Sequence, residues 1–83
     1  MSENRIGVIG IVVENREMVP QVNKILSDYA AIIIGRMGLP YREKDVSVIS
    51  LIVDGNTDTL GALTGKLGNL PQVTVKSALT KSS

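Results

Sequence analysis

Cysteine and histidine are both missing from the sequence. Without cysteine there is no disulfide and no thiolate metal site. Without histidine the usual zinc, nickel and copper ligand is gone, and so is the usual general base near neutral pH. Serine and threonine hydroxyls are present, but a hydroxyl nucleophile needs an adjacent base to activate it. A non-enzymatic protein without metal or cofactor is therefore expected. Aromatic residues are nearly as scarce. Two tyrosines are the whole complement, too few for a platform on which nucleic-acid bases stack. An excess of one charge is lacking too: nine Lys and Arg against eight Asp and Glu leave a formal net charge of +1. That is no basic field for DNA or RNA, so nucleic acid is not an expected partner. The N-terminal MSENR is polar and carries no signal peptide, and no apolar run approaches the roughly 20 residues of a membrane helix. A cytoplasmic protein with no membrane partner is the expectation.

What is present reads as one small domain over residues 1–83, with an ordered core over 5–79. Domains of this size bury only about 60% of the surface their unfolded chains expose. With disulfides and cysteine-held metals gone, self-association is the common remaining source of burial.

The chain is organised around residues 56–76, NTDTLGALTGKLGNLPQVTVK. Thr57 or Asp58 suits a helix N-cap, and Leu60, Leu63 and Leu67 follow at helical spacing. Gly68 suits the left-handed residue that ends a helix, and Pro71 forbids continuation. Val73 and Val75 then point one way from a strand. Interior glycines cost roughly 1 kcal/mol each against alanine, so Gly61 and Gly65 are expected to sit against the sheet or a neighbouring subunit. Upstream, residues 5–13 (RIGVIGIVV) form an apolar strand with Ile6, Val8 and Val12 on one face and Ile9, Ile11 and Val13 on the other. After the polar connection 14–17, Met18, Val22, Ile25, Leu26 and Tyr29 mark an amphipathic helix that starts near Met18 or Val19, with Pro20 in its first turn. Residues 31–37 read as a second strand running into an irregular loop, 38–45, and residues 46–53 as a third strand apolar on both faces. The tail 80–83 is expected to fray.

The element order is βαββαβ, an α+β, ferredoxin-like arrangement with a four-stranded antiparallel sheet and two helices on one face. Strands one and three, apolar on both sides, belong in the centre. The face opposite the helices is then an exposed apolar patch of the kind that marks an interaction surface. A second copy of the chain covering it, or sheets pairing edge to edge, gives a homodimer or tetramer.

Candidate functional residues are few. Glu14 and Glu17 beside Arg16, and Glu43 and Asp45 beside Lys44, have the composition of acid–base or magnesium clusters, though solvated surface charge explains them more simply. In 35–42 (GRMGLPYR) two glycines flank Arg36 and Met37 at a strand end, and Arg42 follows a proline-shaped turn. Two guanidiniums there can hold a carboxylate or phosphate; a β-bulge and hairpin loop with ordinary surface arginines is the plainer account. That account suits Arg42, whereas Arg36 interrupts an apolar strand and stands open to either. Asn15 and Arg16, at the first strand-to-helix turn, can line a ligand cleft, though Asn15 is more often a turn or cap residue. Lys66 in LTGKLG can meet an anion, but no Walker pattern is present.

The pattern resembles the ACT and ACT-like regulatory domains, βαββαβ modules that dimerise and commonly bind small effectors. More closely, IVVENRE, QVNKIL, IIIGRMGLPYREKDVSVISLIVD and DTLGALTGKLGNLPQVTVKS are similar to the iron-only hydrogenase system regulators, stand-alone ACT-like proteins. The resemblance covers nearly the whole chain, and GRMGLPYREKD and LTGKLG are its most specific blocks. It implies a regulatory or accessory role and brings no residue-level active site. The broader group includes the nickel-binding domain of nickel-responsive transcription regulators, but this chain has none of the His or Cys ligands. Its first strand-to-helix loop reads ENRE, without the glycine usual in amino-acid-binding ACT domains. The resulting expectation is an oligomeric regulatory module that takes a small anionic or amino-acid-like effector at Asn15, Arg16, Arg36 and Arg42, or a partner protein. The alternative is a structural accessory subunit of a larger protein with no small ligand.

Overall fold

The computed structural model describes residues 4–80. Four strands, β1 (Asn4–Val13), β2 (Ile33–Tyr41), β3 (Val46–Asn56) and β4 (Val73–Leu79), form one antiparallel sheet in the order β2-β3-β1-β4. Helices α1 (Val19–Asp28) and α2 (Thr57–Gly68) follow β1 and β3. This is the ferredoxin-like split βαβ order, with the two doubly apolar strands β1 and β3 in the centre. Among the described residues no helix is long and apolar enough to cross a membrane.

The period-two alternation decides which side chains make the core. Ile9, Ile11 and Val13 of β1 register with Leu51, Ile49 and Ser47 of β3, and the apolar members of that set are buried. Val22 and Leu26 of α1 and Leu60, Leu63 and Leu67 of α2 close over them. α1 begins at Val19 with Pro20 in its first turn, where the missing N–H costs nothing.

Several local expectations shift. The N-cap of α2 is Asn56, not Thr57 or Asp58: its side-chain oxygen accepts from the Thr59 N–H at 2.7 Å. Asp58 instead sits in the first turn, where its charge favours the helix dipole. Gly68 is the last helical residue and is not left-handed; the reversal lies at Gln72, with φ 61°, whose carbonyl accepts from the Glu14 N–H. Gly61 and Gly65 do not pack on the sheet. A methyl group at either would meet nothing within 4 Å, because both open onto a groove between α2 and β4.

The second strand differs most. Residues 30–32 form a 3₁₀ turn, and β2 then runs through Pro40 to Tyr41, leaving only a tight turn over 42–45 where an eight-residue loop was expected. Proline is tolerated because β2 is an edge strand, paired on one side only. Asp45, at φ 57°, closes the turn in the left-handed region that Asp enters more readily than most residues. The strand also carries a bulge: Ile33 pairs with Val53 and Gly35 with Ile52, so Ile34 has no partner. At the other end of the chain, Thr80 is held rather than frayed. Its N–H donates to the Ile6 carbonyl, its hydroxyl accepts from the Ile6 N–H and its carbonyl accepts from Arg5. The rest of the expected frayed tail, 81–83, lies outside the described residues.

The face away from the helices is apolar and open. Ile6, Val8 and Val12 of β1, Val48 and Ile52 of β3, and Met37, Leu39 and Tyr41 of β2 are all at least 36% exposed. Their registers place them together on one side of the sheet.

A candidate ligand groove between α1 and the edge strand

The bulge at Ile34 determines where Arg36 goes. Regular pairing onward from Ile33–Val53 would put Gly35 beside Leu51 and turn Arg36 to the open face. The extra residue reverses that parity. Arg36 registers with Leu51, Gly38 with Ile49 and Pro40 with Ser47, all on the helix side. None of these three is a bulky aliphatic, so the space between β2 and the start of α1 stays unfilled. The result is a groove of about 670 Å³ lined by Arg16, Glu17, Val19, Pro20, Asn23, Arg36, Gly38, Leu39, Pro40, Ser47 and Ile49.

Arg16 reaches the groove from the 3₁₀ turn Arg16–Met18 between β1 and α1. Asn15 shapes that turn: its side-chain oxygen accepts from the Glu17 N–H at 2.9 Å, and its carbonyl accepts from the Met18 N–H. Asn15 is thus a cap and does not line the groove. The Arg16 guanidinium stands 3.8 Å from the Asp45 carboxylate, with both side chains more than half exposed. Such a pair contributes little to stability, and it leaves Arg16 free to turn inward. Arg36 crosses the groove and donates from Nη2 to Oδ1 of Asn23 on α1 at 3.1 Å. One of its five N–H donors is used there, and the fork is oriented by that contact. Arg42 lies in the 42–45 turn, and its carbonyl accepts from the Asp45 N–H; it is not among the groove residues.

Of the four expected contacts, then, the fold brings Arg16 and Arg36 to one groove, uses Asn15 as a cap and leaves Arg42 outside. Sequence reasoning missed Glu17 as a wall residue, Asn23 as the Arg36 partner, and Ser47. Asn23 lies between the apolar positions Val22 and Ile25 of the amphipathic helix, and nothing in its local sequence marks it as facing a strand. Lys66 is engaged elsewhere, with its ammonium 5.1 Å from the centroid of the Tyr29 ring, a cation–π distance that ties α2 to the end of α1. Among the described residues no three acidic side chains gather as a metal site. Chemically, the groove offers two guanidiniums against one carboxylate, an amide and a hydroxyl over an apolar floor.

The comparisons with known proteins agree with this architecture. The family model "TM1266-like: Iron-only hydrogenase system regulator, putative" matches residues 5–77. The uncharacterized protein TM1266 from Thermotoga maritima is 41% identical over 95% of this chain and 100% of its own, with a TM-score of 0.91. The ACT domain of GTP pyrophosphokinase from Chlorobium tepidum (21% identity, TM-score 0.68, 96% and 90% coverage) shares the fold. So does CPII, a nitrogen regulatory PII-like protein from Thiomonas intermedia K12 bound to ADP, AMP and bicarbonate (10%, 0.54, 95% and 96%). No functionally curated protein matches the sequence. With a family model spanning nearly all of it and a relative at 41% identity, the chain belongs to the TM1266-like family of iron-only hydrogenase system regulators.

Proposed function

We propose that the protein is a non-enzymatic, self-associating regulatory module that responds to a small anionic effector held between α1 and β2. The observation that carries this reading is the groove itself. Two arginines from different elements converge on it, and one of them is aimed there by a bulge. Bulges recur beside functional sites because they re-aim a side chain. Family membership supports a regulatory role within the iron-only hydrogenase system. The open apolar face of the sheet supports self-association, with a second copy as its cover. An effector then acts by binding one state of the module, or of its assembly, more tightly than another.

A thermal-shift screen of the full chain against small anions tests the reading, with molar mass fixed by light scattering. A ligand at about 100 times its Kd adds roughly 2.7 kcal/mol per site, and each kcal/mol raises the midpoint of so small a domain by about 4–8 °C. A shift seen with wild type and lost in Arg36→Ala supports the groove as the effector site. The same exposed sheet face favours a second reading, an accessory subunit that docks on a larger protein. Absence of any ligand shift, together with a monomeric chain, would favour that reading instead.

A further inference from the structure

We infer that the groove's ligand is a small aliphatic carboxylate, a single carboxylate on a branched hydrocarbon body, rather than a phosphate or a nucleotide. This rests on the reading of the groove as an effector site. The charge inventory sets the head group. Among the lining residues, one carboxylate, Glu17, stands against two guanidiniums, an excess of one positive charge that matches a monoanion and falls short of a polyphosphate. Asp45, 3.8 Å from Arg16, lies outside the lining and lowers the field further. Arg36, with one donor fixed on Asn23, presents its remaining fork to a planar acceptor, and a carboxylate fits such a fork with two parallel hydrogen bonds. The floor sets the body. Val19, Pro20, Pro40 and Ile49 offer aliphatic surface, and Gly38 leaves the space above it open, since a Cβ there would meet only Ile49, at 3.9 Å. No aromatic ring lines the groove to stack on a nucleobase. The two tyrosines lie elsewhere, Tyr29 beneath Lys66 and Tyr41 on the opposite face of the sheet.

The test is calorimetric titration of the full chain with acetate, 3-methylbutanoate, inorganic phosphate and ADP. Three added carbons buried on the floor are expected to make 3-methylbutanoate bind about fiftyfold more tightly than acetate. Arg36→Ala is expected to weaken it about tenfold or more, as loss of a charged hydrogen bond does. Gly38→Val, which a strand accommodates well, keeps both arginines, fills the floor and is expected to abolish the advantage over acetate. Arg36-dependent binding of phosphate or ADP, with no preference for the branched carboxylate, overturns the ligand class while leaving the effector site standing. Carboxylate binding unchanged in both variants overturns the site assignment. No binding by any of the four overturns the class and the effector reading together.

Discussion

Ile52→Lys should dissociate the proposed self-assembly while leaving the fold intact. Ile52 sits on the central strand β3, in register with Val8, in the middle of the open sheet face. It contributes nothing to the helix-side core, so the single chain tolerates a lysine there with little loss of stability. In the single chain it remains 49% exposed. Fully burying an isoleucine side chain is worth roughly 1.5–3 kcal/mol, so about 1 kcal/mol remains to be gained when a second copy covers it. A two-fold interface counts the residue twice, which makes about 2 kcal/mol, or roughly thirtyfold in the dissociation constant. That is a lower bound, because each ammonium group must also be stripped of water on burial. Sedimentation equilibrium across a concentration series reads the change, and circular dichroism reports the fold. A variant with unchanged molar mass at every concentration would refute the placement of the interface on this face. So would a wild-type chain that is monomeric throughout.

Three further outcomes test the local physics. Asn56→Ala removes the cap on α2 and should cost about 1 kcal/mol, lowering the thermal midpoint by about 4–8 °C. Gly65→Ala should stabilise by up to about 1 kcal/mol in urea denaturation, since the added methyl meets nothing in the single chain; destabilisation would show instead that a neighbouring subunit packs on α2. Gly7→Ala should be severe, on the order of 2 kcal/mol or more, because its Cβ would overlap the backbone carbonyl of Ala78 across the β1–β4 ladder. A Gly7→Ala variant that keeps the wild-type urea midpoint would show that β4 shifts freely.

Much of this molecule was legible from its residues. The order of elements and the central place of β1 and β3 followed from hydrophobic period. Which face of each the helices cover did not, because both faces are apolar. The leucine stripe of α2 and the start of α1 followed from helical spacing and from Pro20. Boundaries were less secure. The α2 cap moved to Asn56, the left-handed residue moved from Gly68 to Gln72, and the first half of the 38–45 segment became strand. In each case neighbours of similar capping or turn chemistry competed, and packing chose among them.

By itself, the sequence determined the fold class and an unpartnered apolar sheet face, since both follow from the spacing of apolar residues along the chain. Absence of histidine and cysteine likewise removes imidazole and thiolate from the ligands and bases that these residues supply. Only the tertiary structure decided which candidate site residues meet. One unpaired residue, Ile34, reverses the parity of everything after it in β2. That reversal sends Arg36 under α1 to Asn23 and Met37, Leu39 and Tyr41 to the open face. The side-chain period of a strand is two, so a single bulge exchanges the faces; GRMG suggests a bulge near the strand end, but nothing in IIIGRMG places it at Ile34.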